Sequence, residues 1–124
     1  MSSPVLRLYL CGPITKFPGH REAFAAAAAA VRALGHESIN PLDLFTAGAG
    51  PGDWDLAMRA DITVLLHADG ILLLPGWPQS RGAKIELQLA VGLEKRILTY
   101  LNGEIFDVTE PAHANPSFRL GRAL

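Results

Sequence analysis

Residues 71–86 read Ile-Leu-Leu-Leu-Pro-Gly-Trp-Pro-Gln-Ser-Arg-Gly-Ala-Lys-Ile-Glu, and the fold turns on them. Four apolar residues stopped by Pro75-Gly76 predict a strand over 71–74 that is buried on both faces. Pro75 through Gln79 predict a loop. Ser80 is a good N-cap, and residues 81–94 follow as a helix. That segment also alternates apolar residues at Ile85, Leu87, Leu89, Val91 and Leu93, which imitates a strand. Its length and its Ala, Lys, Glu, Gln and Leu content favour the helix. A strand apolar on both faces and followed at once by a helix is the repeating unit of a parallel sheet.

The same alternation extends outward on both sides. Residues 5–11, VLRLYLC, predict a first strand. Gly12 through Gly19 form a loop with two prolines. Residues 21–34 predict a helix built on the alanine run 25–30, with Phe24, Val31 and Leu34 on one face. Gly35 would end it. A short second strand spans 37–40. Residues 42–52 form a loop rich in Gly, Ala and Pro. Asp53 can cap a helix over 54–67, whose core face is read as Leu56, Ile62, Leu65 and Leu66. Asp61 falls on a different face, near Met58 and Trp54. A turn at 68–70 leads into 71–74, and 96–101 is the last strand. Residues 102–124 are read as loop with one short helix. The order β-α-β-α-β-α-β predicts a single domain over 1–124, a small Rossmann-like or flavodoxin-like three-layer α/β fold. Its sheet would have four or five parallel strands. Ligands in such sheets bind beyond the carboxyl ends of the strands, which points to residues 12–15 and 75–82.

Composition narrows the function classes. The chain is 49% apolar and 19% charged, enough for a core in its 124 residues. A net charge of −1 gives no basic face for nucleic acid or an anionic membrane. There is one cysteine, Cys11, so neither a disulfide framework nor a CxxC metal spacing exists. No metal and no cofactor is expected. No apolar run reaches the ~18 residues of a membrane span, and the first residues lack the pattern of a signal peptide. The expected compartment is the cytoplasm.

Several residues are candidates for chemistry. Gly12, with Pro13, Ile14 and Thr15, lets backbone approach a ligand, or is only a tight turn. The segment holding Trp77, Ser80, Arg81 and Gly82 opens a helix, whose free N–H groups favour an anion such as phosphate. Ser80 as a plain N-cap is the competing reading. Glu86 lies on the second turn, on a face with Gly82, Ala83 and Ala90. It is either a solvated surface acid or a carboxylate able to reach a ligand. Asp69, at the wrong end of its strand for catalysis, is read as a turn residue. Asp61 and Glu86 can form a pair whose acid and nucleophile roles are split by environment. Tyr9 can orient a carboxylate, or fill the core. The four histidines show no metal spacing.

The run Tyr9-Leu10-Cys11-Gly12-Pro13-Ile14, then Asp61, then Ala68-Asp69-Gly70, then Ser80 through Glu86 resembles the nucleoside 2-deoxyribosyltransferase superfamily. The resemblance spans residues 9–101. It is closest to two branches, the deoxynucleoside 5′-monophosphate N-glycosidases and the DUF4406 branch; LPGWPQSRGAKIE looks particularly like the latter. It implies cleavage of an N-glycosidic bond through a glycosyl ester on Glu86. Asp61 would assist the leaving base and Tyr9 would position the nucleophile. Gly12, Pro13, Ile14, Trp77, Ser80, Arg81 and Gly82 would bind substrate, with Ser80 holding a 5′-phosphate. The implied partner is a nucleotide or nucleoside, in a homodimer or higher homo-oligomer whose second copy completes the site. Asn102 is a candidate for that contribution. Pro13 and Lys16 depart from the glycosidase pattern. Transfer of the sugar to a second base is the alternative outcome. A non-catalytic nucleotide-binding module and an interaction domain are the alternatives of other classes.

Overall fold

The computed structural model describes residues 4–44, 53–109 and 122–123. The elements run β1 (Arg7–Cys11), α1 (His20–Ala33), β2 (Glu37–Ile39), α2 (Asp53–Leu66), β3 (Gly70–Leu73), α3 (Arg81–Gly92), β4 (Arg96–Leu101), β5 (Glu104–Asp107) and β6 (Arg122–Ala123). Short 3₁₀ turns occupy Pro41–Asp43 and Trp77–Gln79. The second lies inside the segment read as loop. Asp53, read as the cap, is the first residue of α2; its side chain and most of the loop 42–52 fall outside what is described.

The strands form one sheet in the order β2-β1-β3-β4-β5-β6. The first four run parallel, as expected, and β5 and β6 add antiparallel strands on one edge. The fold is a small three-layer Rossmann-like α/β domain of flavodoxin-like strand order. β5 corrects the reading of the tail as loop and short helix. The tight turn Asn102-Gly103, with both residues at positive φ (51° and 81°), closes a β4–β5 hairpin. An Asn-Gly pair is suited to such a turn. Among the described residues no helix is long and apolar enough to cross a membrane.

Side-chain alternation divides the core. Leu8, Leu10, Leu72 and Leu74 point to the α1 side, against Phe24, Ala27 and Val31. Tyr9, Cys11, Ile71 and Leu73 point the other way, toward Leu65 of α2 and Ala83, Leu87 and Ala90 of α3. Both faces of β3 are therefore sealed, which accounts for its unbroken apolar run. Leu34, expected with Phe24 and Val31, is exposed because it caps the end of α1.

The inward face of α2 differs from the expected one. Leu56 and Leu66 are exposed, whereas Met58, Asp61 and Leu65 are buried. The helix turns its Asp61 face to the sheet. Asp69 serves the turn: its carboxylate accepts the Arg7 N–H at 2.8 Å. Strand order reverses between β1 and β3, so the crevice of the sheet opens at their carboxyl ends.

Candidate active site

Tyr9 sits on β1 with its ring buried under α3 because its neighbours Leu8 and Leu10 take the opposite face. Ser80 starts α3, and its hydroxyl oxygen accepts the Ala83 N–H at 3.1 Å. The N-cap reading of Ser80 is thus realised, and the residue still lines the cleft. With the helix phase set there, Gly82, Ala83, Glu86 and Ala90 all turn inward. Glu86 is only 5% exposed, not a solvated helix acid. The Tyr9 hydroxyl donates to Glu86 Oε2 at 2.9 Å.

Asp61 enters from α2 and is 7% exposed. It lines the same cleft as Tyr9 and Glu86, a cavity of about 440 Å³. The small residue Gly82 permits this meeting of helices. A Cβ there would lie 2.9 Å from the Met58 sulfur.

Electrostatics follow from burial. Desolvation raises Glu86 from its ordinary 4.5 to about 7. The Tyr9 hydroxyl pulls Glu86 down, the charge on Asp61 pushes it up, and a hydrogen bond from Cys11 lowers it. Desolvation also raises Asp61 from 3.8 to about 6, and the same tyrosine hydroxyl opposes that rise. Tyr9 and Cys11 are both held well above their usual values, first by burial and then by Glu86. Both therefore remain protonated donors. The Cys11 thiol also donates to the Ala83 carbonyl at 3.6 Å. Two carboxyls pushed into the neutral range, in one cleft, can divide one proton between an acid and a nucleophile.

The cleft gathers Tyr9, Gly12, Ile14, Asp61, Ser80, Gly82 and Glu86 from the residues singled out in the sequence. Pro13, Trp77 and Arg81 are not among its lining. Pro13 is buried and packs toward Gly76, where a Cβ would stand 3.1 Å from its ring. Gly76 has φ +87°, so its loop is locked against the β1–α1 loop by both shape and backbone. Trp77 packs against the core under α3. Arg81 swings away to lie over the Trp54 ring, 4.1 Å from its centroid. Asn102 stands in the β4–β5 turn, exposed.

Sequence reasoning missed Cys11, His20, Arg21, Trp54 and Met58. His20 and Arg21 line the cleft because α1 must begin where β1 ends. That connectivity was itself a signal. Trp54, Met58, Asp61 and Leu65 follow the i, i+4, i+7, i+11 spacing of one helical stripe, a second signal. Among the described residues, no three His, Cys, Asp or Glu side chains cluster as a metal site would need.

Comparison with known proteins gives two findings. The family model for DUF4406, a domain of unknown function, matches residues 6–99. The fold resembles that of a solved 2-deoxyribosyltransferase from the psychrotolerant bacterium Bacillus psychrosaccharolyticus, with a TM-score of 0.61 and 21% identity. That match covers 76% of this chain and 71% of the other. No curated protein sequence matches.

Proposed function

The chain belongs to the DUF4406 family, and from that premise we propose that it cleaves the N-glycosidic bond of a (deoxy)nucleoside 5′-monophosphate. The observation that carries the reading is a buried pair in one cleft: Glu86, which accepts the Tyr9 hydroxyl, and Asp61, which lines the same cleft. A Glu86 carboxylate oxygen attacks the anomeric carbon. The bond from that carbon to the base nitrogen breaks, and its electron pair leaves with the base. Asp61 supplies the proton the departing base needs. Water then attacks the anomeric carbon, frees Glu86, and gives one proton back to Asp61. The sum is nucleotide plus water to free base plus sugar phosphate. Arg21, His20 and the N-terminus of α3 at Ser80 lie on the same cleft and suit the phosphate. The fold shared with a 2-deoxyribosyltransferase favours a second outcome, in which another base replaces water.

The test is to incubate the protein with a panel of nucleoside and deoxynucleoside monophosphates and follow free base by chromatography. Release from at least one member is expected. Release from none overturns the hydrolase reading. Adding a second base and finding a new nucleotide assigns transfer.

The pH profile follows from the pair. Below about 6 both carboxyls hold protons and no nucleophile remains; above about 7 both are ionised and no acid remains. Between these values the pair shares one proton, which rests mostly on Glu86, and the reactive form is the minor one that carries it on Asp61. kcat/KM is expected to peak between these values and to fall about tenfold per pH unit outside them. Tyr9 favours the ionised form of both groups. Tyr9→Phe should therefore move both limbs to higher pH, whereas a purely structural Tyr9 would leave them in place.

A further inference from the structure

Trp54, Met58 and Asp61 form one stripe of α2, and all of them line the cleft. At 1.5 Å per residue, Trp54 stands about 10 Å along the axis from Asp61, with Met58 between them. If Glu86 works on the sugar carbon and Asp61 on the base, the base must extend outward along this stripe. A single ring would end beside Met58. A second, fused ring would continue toward Trp54. The outer end of the stripe is built, because the Arg81 guanidinium lies over the indole ring at 4.1 Å and fixes it. Trp54 remains 37% exposed, large for an apolar ring with a packed partner. Met58 offers a polarisable thioether, suited to contact with an aromatic edge. Its sulfur occupies its place only because position 82 has no side chain.

We infer that this stripe is the base-reading wall, and that Trp54, braced by Arg81, selects a bicyclic purine-type base over a single-ring one. The inference rests on the nucleotide reading of the cleft and adds the class of base. It makes Trp54 a specificity residue and Arg81 a positioning residue. It also gives Arg81 a task other than gripping phosphate.

Binding, not turnover, is the readout, in a Glu86→Gln background. The chain has two tryptophans, so Trp77→Phe leaves Trp54 as the sole indole reporter. The probes are dAMP and dCMP. We expect dAMP to quench Trp54 fluorescence and to bind at least tenfold tighter than dCMP. Trp54→Ala, followed by calorimetry, should remove most of that ratio while changing dCMP affinity less than threefold. Trp54→Phe should keep part of it. Arg81→Met, which keeps the stem and loses the cation, should weaken dAMP a few-fold and spare dCMP. Equal affinity for the two probes in the starting protein overturns the inference. So does an equal loss of both, or of neither, in Trp54→Ala. If no nucleotide binds any form, the nucleotide reading itself falls; if nucleotides bind without a preference that depends on Trp54, only the purine wall falls.

Discussion

Glu86→Gln is expected to lower base release by a factor on the order of 10³ or more, about 4 kcal/mol of barrier. Glutamine matches the volume of glutamate, and its carbonyl can still accept the Tyr9 hydroxyl. What it lacks is charge and a nucleophilic oxygen. A neutral amide neither stabilises the positive charge that develops at the anomeric carbon nor forms the ester. A role limited to packing would leave the rate within a fewfold of the original. The check is a single-turnover assay with the best nucleotide of the panel. The variant should still bind that nucleotide, because the rest of the cleft is unchanged.

The same substitution is expected to stabilise the fold. Glu86 titrates at about 7 in the folded protein and at its ordinary 4.5 when unfolded. Between those values the folded state holds more protons than the unfolded one. Stability from this group is therefore greatest below about 4.5 and falls as pH rises to about 7. The loss is on the order of 3 kcal/mol. Asp61, raised from 3.8 to about 6, acts in the same direction over its own range. Glu86→Gln carries no charge at any pH. At pH 8 its Tm should exceed that of the parent protein by several degrees, and at pH 4 the two should converge. A gap that did not change with pH would refute the electrostatic cause. A variant less stable at pH 8 would show that the burial of charge is not what strains this site. Losing activity while gaining stability is the pattern of a residue kept for chemistry.

Much of this arrangement was legible beforehand. The alternation of short apolar runs with helical segments carries the layer order, since only a sheet covered on both faces hides a strand like Ile-Leu-Leu-Leu. Tyr9 and Glu86 were also within reach. One sits at an odd position of a strand, and the other follows an N-cap by six residues. Three features were less visible. The inward face of α2 was misread because leucines outrank an aspartate on any hydropathy scale. Helix geometry, not hydropathy, puts Asp61 in line with Met58 and Leu65. Arg81 was assigned to the ligand because sequence does not say which way a long flexible side chain turns, and Trp54 lay 27 positions away. The hairpin at the end of the sheet was missed although Asn102-Gly103 signalled it. Weak apolar alternation after Leu101 masked the turn chemistry.

The division of β1 into two opposed sets of side chains has a consequence for how this protein can vary. Leu8 and Leu10 serve one layer while Tyr9 and Cys11 serve the other. Losing or gaining one residue in β1 would exchange the two sets, setting a leucine against Glu86 and a phenol into the hydrocarbon layer under α1. Such a strand behaves like a reading frame. Point substitutions within each set can be absorbed, but a change of length is not. Length changes are expected only in segments outside the sheet, and the loop locked on Gly76 should be the least free of these. Attempts to remodel the specificity of the cleft should therefore leave β1 untouched and work through the outer turn of α2.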